Sequence, residues 1–372
     1  MRLGSVARLA VALLWASAAW GQSTKARSLP RHRQAPIGPS SAAALPYTDN
    51  RLHKVGNLWL TVTNYGMFGG ENGNLIDPCT RLTSPTLEFP GGSGTINLWE
   101  ASLWIGAVKG RDTLVSVGAT IWPLQQHEMF PAAYPEGAFE ERTMRPRLKA
   151  PPGSACPDVP FHPEARSDYD VIAVYYDTAT SSQLVVNDPD DGRPPQPLGL
   201  EITQTSYSWS LAFAQDFILI DYALRNLTDT PLKDAYLGLY VDQDVHHQAN
   251  AEGWLDDISG FLRTVPSQFG EDIRDSVLIA WAADNDGDPG NGSFWSSSNT
   301  NLTGVRILKL PEARSRITFN WFVGDGGSAV DWGPVMRGSK VEFLRGGLGA
   351  PYGDVAKYQM MSNGEIDYDQ LE

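Results

Sequence analysis

From residue 47 onward the chain is a succession of short apolar or alternating runs separated by Gly, Pro, Asn and Asp, with hardly any stretch of helical period. The clearest alternation is Ala235-Tyr236-Leu237-Gly238-Leu239-Tyr240-Val241-Asp242, which puts Leu237, Leu239 and Val241 on one face and Tyr236, Tyr240 and Asp242 on the other. The first is the expected core face. Upstream, Asp216 to Asn226 groups Ile218, Ile220, Tyr222 and Leu224, and the turn-rich link Leu227 to Pro231 suits a hairpin joining two long antiparallel strands. Further strands are expected over Asn57 to Tyr65, Leu98 to Lys109, Thr113 to Ile121, Asp170 to Tyr176, Leu198 to Ser210, Ile258 to Thr264, Val277 to Ala283, Val305 to Leu310 and Ile317 to Val323. A dozen short strands with this punctuation predict an all-β fold over 47–372, a β-sandwich, one large or two stacked. Strand count alone does not separate a sandwich from a barrel. The segments 123–168 and 284–303 lack periodicity and are expected to be long irregular loops.

The first 46 residues have a different texture. Arg2 and Arg8 precede an apolar run, Leu9 to Trp20, too short to span a bilayer, and Ala19-Trp20-Gly21 offers small residues at a peptidase site before Gln22. Residues 1–21 read as a secretory signal peptide, which places the mature protein outside the cell or at its surface, with no transmembrane segment. Residues 22–46 carry Ser, Pro, Ala and four basic side chains but no acid, and read as a disordered linker. Without Arg2 and Arg8, the 29 basic residues become 27 against 43 acidic ones, a formal charge of −16 that disfavours nucleic acid and anionic lipid as partners. Cys79 and Cys156, the only two cysteines, are expected to form one disulfide in an oxidising compartment. The polar ending after Asp367 suggests that the β-sandwich region is truncated at its C-terminus.

Candidate chemistry centres on aspartates. Asp284-Asn285-Asp286-Gly287-Asp288 crowds three carboxylates on a glycine-rich turn after an apolar strand, where a hard cation such as Ca²⁺ relieves their repulsion. As an EF-hand the loop fails, since its sixth position is Pro289 and its twelfth Trp295. Asp242 and Asp244, two apart at a strand end, have Cα atoms about 7 Å apart on one face. Asp256 and Asp257 follow on the next connection, and the three groups would meet at one edge if their strands are neighbours. The competing reading is Asx turns at strand ends. His246 and His247 add a transition-metal alternative, weakened because adjacent residues of an extended chain face opposite ways. No nucleophile elbow, His-Glu-x-x-His or phosphate loop is present. Trp254, Phe294 and Trp295 are candidates for a sugar-stacking platform, set against the usual burial of such rings. Glu201 and Asp216 are the strand-borne acids that a glycoside hydrolase would need to bring together.

The runs Leu198-Gly199-Leu200-Glu201-Ile202-Thr203, Asp216-Phe217-Ile218-Leu219-Ile220-Asp221-Tyr222, Leu237-Gly238-Leu239-Tyr240-Val241-Asp242-Gln243-Asp244, Leu103-Trp104-Ile105-Gly106-Ala107 and Met361-Ser362-Asn363-Gly364-Glu365 resemble large uncharacterised secreted β-rich proteins of environmental bacteria. Members of that group often carry C-terminal immunoglobulin-like or type IX sorting domains. The resemblance implies export and β architecture but no activity. Two functions are therefore expected: a non-catalytic exported β-sandwich, calcium-stabilised and acting in adhesion, matrix or glycan binding, or a carbohydrate-active enzyme with a cleft formed by the long loops.

Overall fold

The computed structural model describes residues 7–17, 48–70, 75–120, 127–131, 144–149, 159–250, 252–310, 316–324, 332–337, 340–345, 351 and 353–370, with 7–17, 271, 334–337 and 340–345 described as backbone alone. The expected linker 22–46 lies outside these residues. In chain order the strands are β1 (Ala7–Ser17), β2 (Asn50–His53), β3 (Trp59–Thr63), β4 (Met67–Gly69), β5 (Leu87–Glu88), β6 (Thr95–Ile96), β7 (Glu100–Lys109), β8 (Asp112–Val117), β9 (Met144–Leu148), β10 (Tyr169–Asp177), β11 (Leu200–Ser208), β12 (Ile218–Asn226), β13 (Leu232–Asp242), β14 (His246–His247), β15 (Ile258–Ser267), β16 (Gly270–Ala283), β17 (Asn301–Lys309), β18 (Trp332–Arg337) and β19 (Lys340–Arg345). A single described helix spans Gly353–Ser362.

The fold is all-β. One sheet runs β15-β16-β17-β1-β12-β11-β10-β9, and a second runs β13-β7-β4-β3-β5-β6-β14 with β2 on β3 and β8 on β7. Their inner faces share one core. Leu60, Val62, Leu103 and Ile105 come from the second sheet, and Val171, Tyr175, Ile202, Ile218, Ile220 and Tyr222 from the first. Strand β12 follows the expected alternation, with Ile218, Ile220, Tyr222 and Leu224 all buried. A polar tie crosses the core, where the fully buried His53 of β2 contacts Ser208 Oγ at 2.8 Å and Ser206 Oγ at 2.7 Å on β11. Burial holds its imidazole neutral, pushing its pKa down to about 3.

Three sequence expectations are corrected. Strands β12 and β13 do not form a hairpin: β12 pairs with β11 and β1, while β13 pairs with β7 in the other sheet. The link between them is a crossover, in which Asn226 accepts from the Thr228 amide at 2.9 Å and donates to Thr230 O at 2.9 Å. No described strand forms over 317–323; Phe319 and Val323 make only isolated bridges, to Ile366 and Trp332. The third correction concerns the helix, which sequence periodicity missed. It covers the outer face of the second sheet, so Tyr240 is not solvent-facing but buried against Trp104, Val115 and Val117, with Phe322, Tyr358 and Met361 packed on them. Leu237, Leu239 and Val241 do face the main core.

Three of the runs quoted above meet at this covered face. Gly106 on β7 and Gly238 on β13 leave room for the helix: an added Cβ would meet Tyr358 at 3.1 Å and Met361 at 3.3 Å, respectively. The runs containing Trp104 and Gly106, Gly238 and Tyr240, and Met361 therefore meet in one place, and the Asp216 to Tyr222 run supplies the facing sheet.

The apolar segment Ala7–Ser17 is seated between β12 and β17, antiparallel to both, with Leu9, Val11 and Leu13 opposite Tyr222, Ile220 and Ile218. Among the described residues, no helix is long and apolar enough to cross a membrane.

Candidate metal centre at the sheet corner

The hairpin of β15 and β16 builds the acidic rim. Its register pairs Ile258 with Ala283, so Asp256 and Asp257, just before the first strand, and Asp284, just after the second, leave the sheet at the same corner. Asp256, Asp284 and Asp286 each place an oxygen within 4.8 Å of the others. Asp256 and Asp286 are exposed, but Asp284 is only 8% exposed. Asp284 Oδ1 accepts the amides of Asp286 at 3.1 Å and Gly287 at 2.6 Å, the expected Asx-turn pattern. Its Oδ2 is buried and receives no N–H or hydroxyl hydrogen, and the same holds for Asp288 Oδ2 and Asp257 Oδ1; the side-chain partner of Asp284 is another carboxyl, Asp288, with which it can share a proton. Buried carboxylate oxygens without donors carry a desolvation cost that a bound cation would offset. The turn and ion readings are therefore compatible: one oxygen shapes the loop and the other is left for a ligand.

The electrostatics agree. Burial pushes Asp284 up to about 7, and the neighbouring Asp288 charge pushes the same way against the Gly287 amide. Asp257 is driven up to about 9 by burial, with Asp244, Asp284 and Asp256 adding to it, although its Oδ2 accepts the Val245 amide at 2.7 Å. Asp256 is raised by burial and by Asp286 and Asp288. Without a counter-ion, the corner relieves its negative charge by keeping protons.

Of the aspartates expected from sequence, Asp284 and Asp286 belong to the three-oxygen group and Asp288 adjoins it. Asp244 reaches the neighbourhood through Asp257. Asp242 remains at the end of β13, beside Glu100 in the register, and gives no oxygen to the group. Asp256 completes the group instead. His246 pairs with Ile96 through β14, and burial lowers its pKa while Asp288 opposes the shift. Gly287 has a φ of +73°, and a Cβ there would lie 2.8 Å from the Phe294 ring, so this turn requires glycine.

The expected sugar platform is placed differently from a flat exposed surface. Trp254, Phe294 and Trp295 are half-buried. Trp295 folds back on its own loop, donating Nε1–H to Gly290 O at 2.5 Å. Another aromatic group, missed in the sequence because its members lie far apart, brings Trp321 within 6.3 Å of Trp332 and 5.5 Å of the exposed Tyr368, ring centre to ring centre. Glu201 and Asp216 are not brought together. Glu201 pairs with Arg225 at 2.6 Å near one end of β12, while Asp216 precedes the other end and accepts from Asn57, so they stand roughly 30 Å apart along the strand. Cys79 is half-buried beside the Asp77 turn, and its expected partner, Cys156, lies outside the described residues.

No protein-family model, curated protein or solved structure matches this chain.

Proposed function

We propose that this protein is an exported, non-catalytic β-sandwich whose corner aspartates bind Ca²⁺ and which acts in contact with a glycan, a matrix or another surface polymer. The observation that carries the reading is the buried Asp284 carboxyl, which has no cationic partner, meets the Asp288 carboxyl and converges with Asp256 and Asp286. An all-oxygen donor set of this kind suits a hard cation better than a thiophilic one. Export rests on the apolar N-terminal run and on the resemblance to secreted proteins, and the cysteine pair fits an oxidising compartment. Glycan contact is supported by the Trp321, Trp332 and Tyr368 group, whose rings could stack on sugar faces. The hydrolase alternative loses its candidate acid pair, since Glu201 and Asp216 lie too far apart for any glycosidase geometry.

Thermal melts of residues 22–372 in EDTA and in millimolar Ca²⁺, beside an Asp284→Ala/Asp286→Ala double variant, test the ion. A calcium-dependent rise in Tm that the double variant loses is expected, and no rise would overturn the ion site. Pull-down on insoluble polysaccharides, with a Trp321→Ala variant as control, tests the glycan contact; absence of retention on every polymer would refute it.

A further inference from the structure

The strand Ala7–Ser17 completes the eight-stranded sheet from a place that export would empty. It lies inside the sheet, not at its edge. One side pairs with β12, from Ala7 opposite Leu224 to Leu13 opposite Ile218, and the other with β17, from Ala10 opposite Lys309 to Ser17 opposite Asn301. Directly opposite residues of an antiparallel pair share a face, so Leu9, Val11 and Leu13 occupy the face on which Tyr222, Ile220 and Ile218 are buried, and Leu13 is also opposite Val305 of the same core. Ala10 and Ala12 fall on the other face, between Asp221 and Leu219 of β12 and Lys309 and Arg306 of β17. The segment belongs to the apolar run that reads as a secretory signal, so cleavage before Gln22 takes a central strand out of the sheet.

The walls of this slot are held by contacts that do not involve the segment. β12 is fixed by its pairing with β11. β17 begins beside two asparagines tied to the other sheet: the buried Asn299 donates Nδ2–H to Ile96 O at 3.1 Å and to Asn97 Oδ1 at 3.1 Å, and Asn301 donates to Phe89 O at 3.0 Å. Val305, further along, is packed in the main core. As neighbours of one intervening strand, β12 and β17 stand about 9.5 Å apart, twice the strand spacing. To pair with each other, β17 and the β15–β16 hairpin would have to shift by one whole spacing and break those ties. Emptied, the slot presents two facing strand edges over an apolar core, a combination that takes up an added strand. The tether left by cleavage does not supply one. A strand paired on both sides excludes proline, and residues 22–46 carry Pro30, Pro36, Pro39 and Pro46, with no two aliphatic residues larger than alanine in any proline-free stretch.

We propose that, once residues 1–21 are removed, the slot between β12 and β17 binds an extended segment of a partner protein, inserted antiparallel to both walls as a replacement strand. Its chemistry follows from the register of Ala7–Leu13 on β12: at least seven residues, no proline, aliphatic side chains at alternate positions on the core face, and small or polar residues between them beside Asp221, Arg306 and Lys309. The proposal rests on the export reading above, because the uncleaved chain fills the slot with its own segment.

The test uses a synthetic peptide of Ala7–Ser17, fluorescently labelled and carrying a lysine tail for solubility, with residues 22–372 and, as the filled control, 1–372. Fluorescence anisotropy should show saturable binding to 22–372 and binding at least about tenfold weaker to 1–372. Val11→Asp in the peptide, which puts a charge on the core face, should weaken binding at least about tenfold, whereas Ala12→Ser on the other face should change it less than about threefold. Hydrogen exchange should show the bound peptide protecting Ile218–Leu224 and Asn301–Lys309. If 22–372 fails to fold by itself, a protease site placed between Gly21 and Gln22 of the full chain and cut after folding leaves the strand seated, and labelled peptide should exchange into the cut protein but not the uncut one. Absence of uptake by both forms, binding indifferent to Val11→Asp, protection away from the two walls, or dimers of 22–372 that the peptide does not dissociate would overturn the proposal. The first residue of the exported protein is read separately: a chain processed at Gln22 that takes up no peptide sinks the slot, whereas retention of residues 1–21 sinks the export reading.

Discussion

Replacing Asp284 with Asn separates the two roles of its carboxyl group. In the folded protein without an ion its pKa is near 7, against 3.8 in an ordinary setting, so the native state keeps a proton that the unfolded chain gives up between those values. The folded state binding more protons means that stability falls as pH rises from about 4 to 7 and stays reduced above. Three units would be worth about 4 kcal/mol for an isolated group; with the charge shared between Asp284 and Asp288, we expect on the order of 2–4 kcal/mol at pH 8. Asn keeps the Oδ1 acceptor for the Asp286 and Gly287 amides and replaces the buried Oδ2 with a donor. In EDTA at pH 8 Asp284→Asn should therefore melt above the parent by about 3–5 °C, taking an unfolding entropy of roughly 0.7 kcal/mol per degree for a chain of this size. At pH 4 the advantage should vanish. With Ca²⁺ at a hundredfold excess over its Kd, the parent gains about 2.7 kcal/mol and the variant gains nothing. Scanning calorimetry at the two pH values, with and without calcium, reads all four conditions. A variant less stable than the parent in EDTA at pH 8, or one that keeps the full calcium response, would refute the reasoning.

Gly287→Ala should destabilise the fold by at least about 1 kcal/mol in urea melts, because the turn needs positive φ and the new methyl meets the Phe294 ring. Mass spectrometry of protein recovered from the medium of an exporting host should give Gln22 as the first residue. Hydrogen exchange should then show Ile218–Asn226 and Asn301–Lys309 less protected in 22–372 than in 1–372, since both border the place of Ala7–Ser17; equal protection would refute that pairing. A non-reducing peptide map should recover Cys79 linked to Cys156, and Cys79→Ser should lower stability by roughly 4 kcal/mol in the loop-entropy picture. Recovery of both as free thiols would count against it.

The sequence by itself determined the β class and most of the longer strands, because a half-buried strand writes its two faces as alternation, and Ile218 to Leu224 obeys that rule residue by residue. It also located the acidic turn, since Asp and Gly at that spacing mark both an Asx turn and a cation loop. Tertiary structure decided what touches what. The turn-rich link after Asn226 looks the same whether it closes a hairpin or crosses between sheets, and only the pairing of β13 with β7 distinguishes them. The short helix carries no strong apolar stripe of its own, yet it buries Lys357 and covers Tyr240 because Gly106 and Gly238 admit it. Asp256 entered the three-oxygen group, and Asp242 stayed out, through the register of β15 with β16. Alternation is a local property of the chain, whereas sites depend on which strand ends the packing of two sheets brings to the same corner.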